Sequence, residues 1–175
     1  MAHLSAADMA AAQRDKIGAL LGPSSWRVVT QAATSAFGES TDDQDPMHVD
    51  PEWAAAHSPF GGTIAFGFWT LAMLTSMVRE ISGTTLGDPE APEHTGVNYG
   101  FNRVRFIEPV PVGSRIRARM TPLDVVAQGR DRLLVTMQVE IEVEGRQRPA
   151  VSAEWLSMTL LPTEGVNLDG FRAEA

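Results

Sequence analysis

The stretch TIAFGFWTLAMLTSMVREI, Thr63–Ile81, decides the fold. Ile64, Phe68, Leu71, Met73, Leu74 and Val78 spread around all sides of a helix drawn through it. A helix that is apolar on every face is buried, not laid on a surface. The stretch contains Thr and Ser and is too short to span a bilayer comfortably. The remainder of the chain must therefore supply its cover.

Downstream, the period changes from helical to alternating. Val135, Met137, Val139, Ile141 and Val143 alternate with Thr136, Gln138, Glu140, Glu142 and Glu144, which predicts a strand with one wet face. Ile116, Ala118 and Met120 alternate with Arg115, Arg117 and Arg119 in the same way. Antiparallel pairing about Gly129–Arg130 sets Arg119 opposite Glu140 and Arg117 opposite Glu142, with a bulge near Pro122 able to shift the register. Opposite charges facing each other across strands add about 0.2–1 kcal/mol per pair. These charges read as a solvated sheet face. VNYGFNRVRF and PAVSAEWLSMTLL are two further strand candidates, LGDPEAPEHTG is turn-rich, and the tail after Pro162 has no clear period. An α+β fold follows, with about four strands in a meander curled around the apolar helix.

Upstream, Ser5 with Asp8 resembles a capping box, and Met9, Ile17, Leu20 and Leu21 recur at roughly helical spacing until Gly22-Pro23. SWRVVT is a short strand candidate. Thr30 is placed to cap a helix over QAATSAFGEST, with Ala33, Ala36 and Phe37 on one side. Asp50-Pro51 is a strong helix start, because Asp accepts the first amides and Pro has no amide to lose.

Composition narrows the function classes. A chain of 175 residues fits one domain and buries enough surface to fold without staples. It has no cysteine, which excludes disulfides, thiolate metal sites and a Cys nucleophile. The formal net charge of -8 and the lack of a Lys/Arg block speak against nucleic acid as a partner. No basic region followed by an unbroken apolar run opens the chain, so the expected compartment is the cytoplasm, with no membrane partner.

The ionisable groups concentrate just ahead of the apolar stretch. STDDQDPMHVDPEWAAAHSPFGG, Ser40–Gly62, holds Asp42, Asp43, Asp45 and Asp50 with His48 and His57. Pro46 disfavours a continuous helix between Asp43 and His48, and a bend there can aim both side chains into one pocket. A carboxylate and an imidazole around one water form a general acid–base pair. The same residues also suit a simpler role, with the aspartates capping turns and His48 hydrogen-bonded at a helix start. A metal site is the third option. The calcium-loop pattern fails, because His48 stands where Gly is needed and Ala54 where Glu is needed. No metal is expected. Gly61-Gly62 lead into the long helix, whose first amides favour negative charge, and Gly67 lets a ligand or a neighbour approach the backbone closely. There is no Gly-Lys-Ser/Thr, so a nucleotide P-loop is excluded.

DDQDPMHVDPEWA followed by SPFGGTIAFG resembles the hydratase motif of the MaoC-like dehydratases, the (R)-specific enoyl-thioester hydratases. That motif reads Asp-x-Asn-Pro-(apolar)-His-x-Asp, then Phe-Gly-Gly-x-Ile-Ala-His-Gly. GVNYGFNRVRF and PVPVGSRIR look like the NodN-like branch of the family, and the likeness runs from about Trp26 to Leu161. The resemblance implies a hot-dog fold: a five-stranded antiparallel sheet curled around one long buried helix, here with an N-terminal helix added. It implies a domain over 24–162, a helical extension over 1–23 and a tail over 163–175. It makes Asp43 and His48 the catalytic dyad, and Gly67 the residue whose amide polarises a thioester carbonyl. Gly62, Phe66 and Thr75 would line the substrate or oxyanion region. The implied reaction adds water reversibly across the C2=C3 bond of a trans-2-enoyl-CoA or enoyl-carrier-protein thioester, giving an (R)-3-hydroxyacyl thioester without a cofactor. A homodimer or higher homo-oligomer is implied as well. This chain departs from the motif twice: Asp45 stands where Asn is commonest, and Phe66 replaces the usual His. An acyl-thioesterase and a non-catalytic acyl-binding or assembly subunit are the competing readings.

Overall fold

The computed structural model describes residues 5–83 and 95–161. LGDPEAPEHTG lies almost wholly outside the described residues, as does the tail after Leu161.

Five strands form one antiparallel sheet. They are β1 (Arg27–Val28), β2 (Thr95–Phe106), β3 (Arg115–Gln128), β4 (Arg132–Val143) and β5 (Val151–Leu160), in the order β1-β3-β4-β5-β2. Alternation positions the inner face. Ile116, Ala118, Met120, Met137, Val139, Ile141 and Val143 are all buried. Their outward neighbours carry the charge. Arg117 lies opposite Glu142, and Arg119 opposite Glu140, as the pattern predicts. The register shifts between Pro122 and Asp124, so the bulge does form. Arg119 nevertheless turns diagonally to Glu142, and Arg117 and Arg119 each reach that carboxylate at 2.6 Å. Burial opposes ionisation of Glu142, but the two guanidinium hydrogen bonds outweigh it and hold the carboxyl below its ordinary value. Arg117 also lies over the Trp26 ring, 4.3 Å from its centre.

The sheet is not a simple meander. β3, β4 and β5 follow one another, but β2 crosses to the far edge and pairs with β5. Residues 107–114 make the crossing. Ile107 donates to Ala150, Val112 to Thr63 and Gly113 to Val29, which walks the chain from one edge to the other.

The apolar stretch forms two helices, α5 (Gly67–Ala72) and α6 (Leu74–Ser82), meeting at Met73. Leu74, Met77 and Val78 are buried against the inner face of the sheet, in one cluster with Ile116, Val139 and Trp155. Burial on every side does not hold within one chain, because Phe68 is 71% exposed.

The first helix is shorter than its apolar spacing suggests. α1 (Ala6–Gln13) starts at a complete Ser5–Asp8 capping box, and its Ala10 packs on Val125 and Leu133 at the end of the β3–β4 hairpin. Ile17 and Leu20 do not continue it. Gly18 and Leu21 hydrogen-bond Pro122 and Met120 instead, which leaves Leu20 62% exposed. Backbone pairing with β3 wins over helical periodicity at these positions. Among the described residues no helix is long and apolar enough to cross a membrane.

Candidate active site

Three short helices carry the ionisable stretch across one end of the core. They are α2 (Gln31–Thr41), α3 (Pro46–Val49) and α4 (Pro51–His57). Thr30 caps α2 by accepting the Ala33 amide at 3.1 Å. The buried side of α2 is Thr34 and Gly38; of the apolar set Ala33, Ala36 and Phe37, Ala36 is exposed. Neighbouring packing, not the apolar count, sets that rotation. At the end of α2, Asp42 takes a left-handed φ of 56°, and the Asp43 amide turns back onto Gly38 O at 2.9 Å.

The aspartates then divide by task. Asp45 caps α3 by accepting the Met47 amide at 2.9 Å. Asp50 caps α4 by accepting the amides of Glu52 and Trp53 at 3.0 and 2.9 Å. Both are committed to orphan helix amides. Among the described residues Asp43 caps no helix; its Oδ1 accepts only the Asp45 amide, at 3.3 Å, and the residue is exposed.

His48 sits in α3 and is buried. Its Nδ1 lies 2.7 Å from the carbonyl oxygen of Ile64. A carbonyl can only accept, so Nδ1 carries a hydrogen, and in the neutral ring Nε2 is the nitrogen with the lone pair. One face of the ring is covered by Phe66, with centroids 3.9 Å apart and planes inclined at 33°. Phe66 is itself buried and packs on Phe37 at 5.2 Å. Phe66 also comes close to Gly38 on α2. A Cβ on Gly38 would lie 2.6 Å from Asp43 O, 3.0 Å from Val49 Cγ1 and 3.1 Å from Phe66 Cζ. Only a glycine lets α2 come this close.

The segment before α5 is extended, not helical. Ile64 donates to Met47 O at 3.1 Å, Ala65 to Val110 O at 2.8 Å, and Thr63 accepts from Val112 at 2.9 Å. The glycine pair therefore does not lead the helix. Gly61, with φ +73°, makes a turn, while Gly62 is half-buried with open space where a Cβ would stand. Gly67 is the first residue of α5. Its N-cap, Phe66, has no side chain able to accept an amide, so the helix starts without a side-chain cap. A Cβ on Gly67 would lie 3.1 Å from the Phe106 ring. Close packing thus holds at this glycine. Thr75 is half-buried in the first turn of α6, separated from Gly67 by the break at Met73.

Two contributors escaped the sequence reading. Gly38 had a signal, because a glycine inside a helix costs about 1 kcal/mol and calls for a packing reason. Gln31 had none. Its partners His48 and Thr63 lie 17 and 32 residues away in the chain.

A five-stranded antiparallel sheet curled around a two-part central helix is the hot-dog fold. The model of the MaoC like domain matches residues 12–145. The chain is 42% identical over 159 residues to Nodulation protein N of Rhizobium leguminosarum bv. viciae, covering 90% of this chain and 92% of that one. It is also 42% identical over 153 residues to 3-hydroxyacyl-thioester dehydratase Z of Mycobacterium tuberculosis, covering 86% and 92%. Among solved structures, the MaoC-like dehydratase from Rhodospirillum rubrum superposes with a TM-score of 0.64 at 24% identity, over 84% of this chain and 94% of that one, and shares the fold. The chain belongs to the MaoC-like dehydratase family.

Proposed function

We propose that this protein hydrates trans-2-enoyl thioesters, and dehydrates (R)-3-hydroxyacyl thioesters in reverse, with Asp43 and His48 as its acid–base pair. The observation that carries this reading is the His48 imidazole. It is buried, and its Nδ1 is bound to Ile64 O at 2.7 Å, so in the neutral ring Nε2 is the nitrogen that can take a proton. The M. tuberculosis relative, named a 3-hydroxyacyl-thioester dehydratase, supports the same chemistry.

A water stands between Asp43 and Nε2 of His48. His48 takes one of its protons as the oxygen adds to C3. The C2=C3 electron pair moves into the thioester, giving an enolate oxygen that the Gly67 amide stabilises. Such an amide contributes on the order of 10²–10³ in rate. The proton held by His48 is relayed through Asp43 to C2 as the enolate collapses. Water's hydrogen and hydroxyl are then both accounted for, and no cofactor enters. Phe66 and Gly67, with Thr75 and Gly62 further out, would border the acyl group, carried by CoA or a carrier protein.

The same reading pairs two copies of the chain. Among the described residues β2 has a neighbour only on its β5 side, and Tyr99 and Phe106 in it and Phe68 are exposed. A long strand edge with unpaired amides and aromatic neighbours is suited to a second β2. The cytoplasm is the compartment this reading assigns.

Crotonyl-CoA tests the chemistry. Loss of enoyl absorbance without free thiol supports hydration, and Asp43→Asn and His48→Ala should each abolish it while circular dichroism stays native. Release of free thiol would assign a thioesterase, and full activity in both variants would remove the dyad. Sedimentation at micromolar concentration tests the dimer, which a single monomeric species would contradict.

A further inference from the structure

The Gln31 side chain closes a ring of contacts around His48. Its Nε2 donates to the His48 carbonyl at 2.7 Å and to Ser35 Oγ at 3.2 Å. Its Oε1 accepts from Thr63 Oγ1 at 2.7 Å. The amide orientation follows from chemistry, because a carbonyl cannot donate and the nitrogen must face it. Thr63 is bonded covalently to Ile64, and Ile64 O receives Nδ1 of His48. The circuit runs from Gln31 to the backbone of His48, through its ring to Ile64, back to Thr63 and so to Gln31 again. One amide therefore fixes both the backbone that carries the imidazole and the neighbour of the carbonyl that holds its ring. Thr63 is buried, and its carbonyl is held separately by Val112. The circuit thus has a rigid side against which His48 is set.

We propose that Gln31, acting with Thr63, is a positioning residue that keeps the Nδ1–H tautomer of His48 and aims Nε2 at the substrate water. This rests on the dyad reading of Asp43 and His48. Gln31 does not touch substrate. Its effect is to keep the base within the narrow geometry in which proton transfer occurs. Misplacement of a reacting group by a fraction of an ångström up to one ångström costs about 10–100-fold in rate.

The test uses the full-length protein. Gln31→Met keeps the side-chain length and removes both hydrogen-bonding atoms, and Thr63→Val removes only the hydroxyl. Each should lower kcat for crotonyl-CoA by about 10–100-fold with KM held within about twofold. Because both variants break one circuit, the double variant should be no slower than the worse single one. Thr63→Ser, which keeps the hydroxyl, should retain wild-type kcat.

A second readout does not depend on turnover. Nitrogen-15 NMR of the histidine ring should show Nδ1 protonated and Nε2 unprotonated for His48 in the wild type, and a mixture of tautomers in Gln31→Met. In the wild type the Gln31 side-chain amide protons should exchange slowly with water. Wild-type kcat and tautomer in a folded Gln31→Met variant would overturn the proposal, and so would fast exchange of the Gln31 amide. A wild-type protein that does not hydrate crotonyl-CoA would instead remove the functional reading. The tautomer and exchange measurements would still decide whether Gln31 holds His48.

Discussion

The imidazole of His48 lies face-on against the ring of Phe66, with centroids 3.9 Å apart. Phe66 occupies the position where the family motif usually has histidine, and the structure gives it a definite task. It fills the space between His48 and Phe37 and shuts one face of the base. In the proposed mechanism His48 takes a proton, and the imidazolium then meets the negative face of an aromatic ring, a favourable contact of about 0.5–2 kcal/mol.

Phe66→Ala should therefore act twice. Emptying a buried aromatic site costs about 3–5 kcal/mol of stability, read as a shift in a urea unfolding curve. Turnover of crotonyl-CoA should fall with it, because the ring of His48 loses its support. Phe66→His should fold but lose about 1–3 kcal/mol, the cost of burying an imidazole without a matched partner. An unchanged unfolding midpoint in Phe66→Ala would show that the ring is not packed as described.

Gly38→Ala sets helix propensity against packing. On propensity alone alanine gains about 1 kcal/mol over glycine inside a helix. The added methyl would meet Asp43 O at 2.6 Å, and a backbone atom cannot turn aside as a side chain can. Net destabilisation of about 1–3 kcal/mol is expected, with a drop in kcat as the Asp43 turn moves. A calorimetric Tm above wild type would contradict the close approach.

Gly67→Ala should behave differently, because its obstacle can move. The nearest atoms belong to the Phe106 ring at 3.1 Å, and Phe106 is half-exposed. Stability should change by less than about 1 kcal/mol, since the helical gain offsets the crowding. Alanine keeps the backbone N–H, so turnover should fall only as far as the added methyl blocks the approach of a thioester oxygen to that amide. Parallel melting and steady-state assays separate the two effects, and unchanged kcat would show that a methyl at this position leaves the approach to the amide open.

Acid should weaken the sheet through Glu142. Its folded carboxyl lies below the ordinary value, with burial opposing and the hydrogen bonds from Arg117 and Arg119 prevailing. A lowered folded value means that stabilisation is complete above the unfolded value of about 4.3 and is lost as pH falls through the folded one. Glu80 adds in the same direction, chiefly through the Ser25 amide and hydroxyl, but it is exposed and counts for little. Unfolding free energy measured from pH 6 to pH 3 should fall less steeply in Glu142→Gln than in wild type. Equal slopes would show that the paired arginines contribute nothing.

Local rules explain which features could be read from the chain alone. The Ser5–Asp8 box, the Asp50-Pro51 start and the Arg117–Glu142 pairing each depend on residues close in sequence or on a strict two-residue period, and all three are present. The hydratase motif was equally legible, and the family followed from it. The crossing of β2 to β5 was not, because strand order depends on where residues 107–114 find partners far along the chain. Nor was the break at Met73, where the apolar pattern runs on without interruption.

Within the candidate site, the residue types of the proposed acid–base pair and the helix caps around it were determined by sequence. Tertiary packing decided which aspartate stays uncommitted, which nitrogen of His48 keeps its lone pair, and that Gln31 closes the circuit behind it. The physical reason is one of range. Capping and alternation act over a few residues, whereas the hydrogen bonds that orient a base join segments that only the folded core brings together.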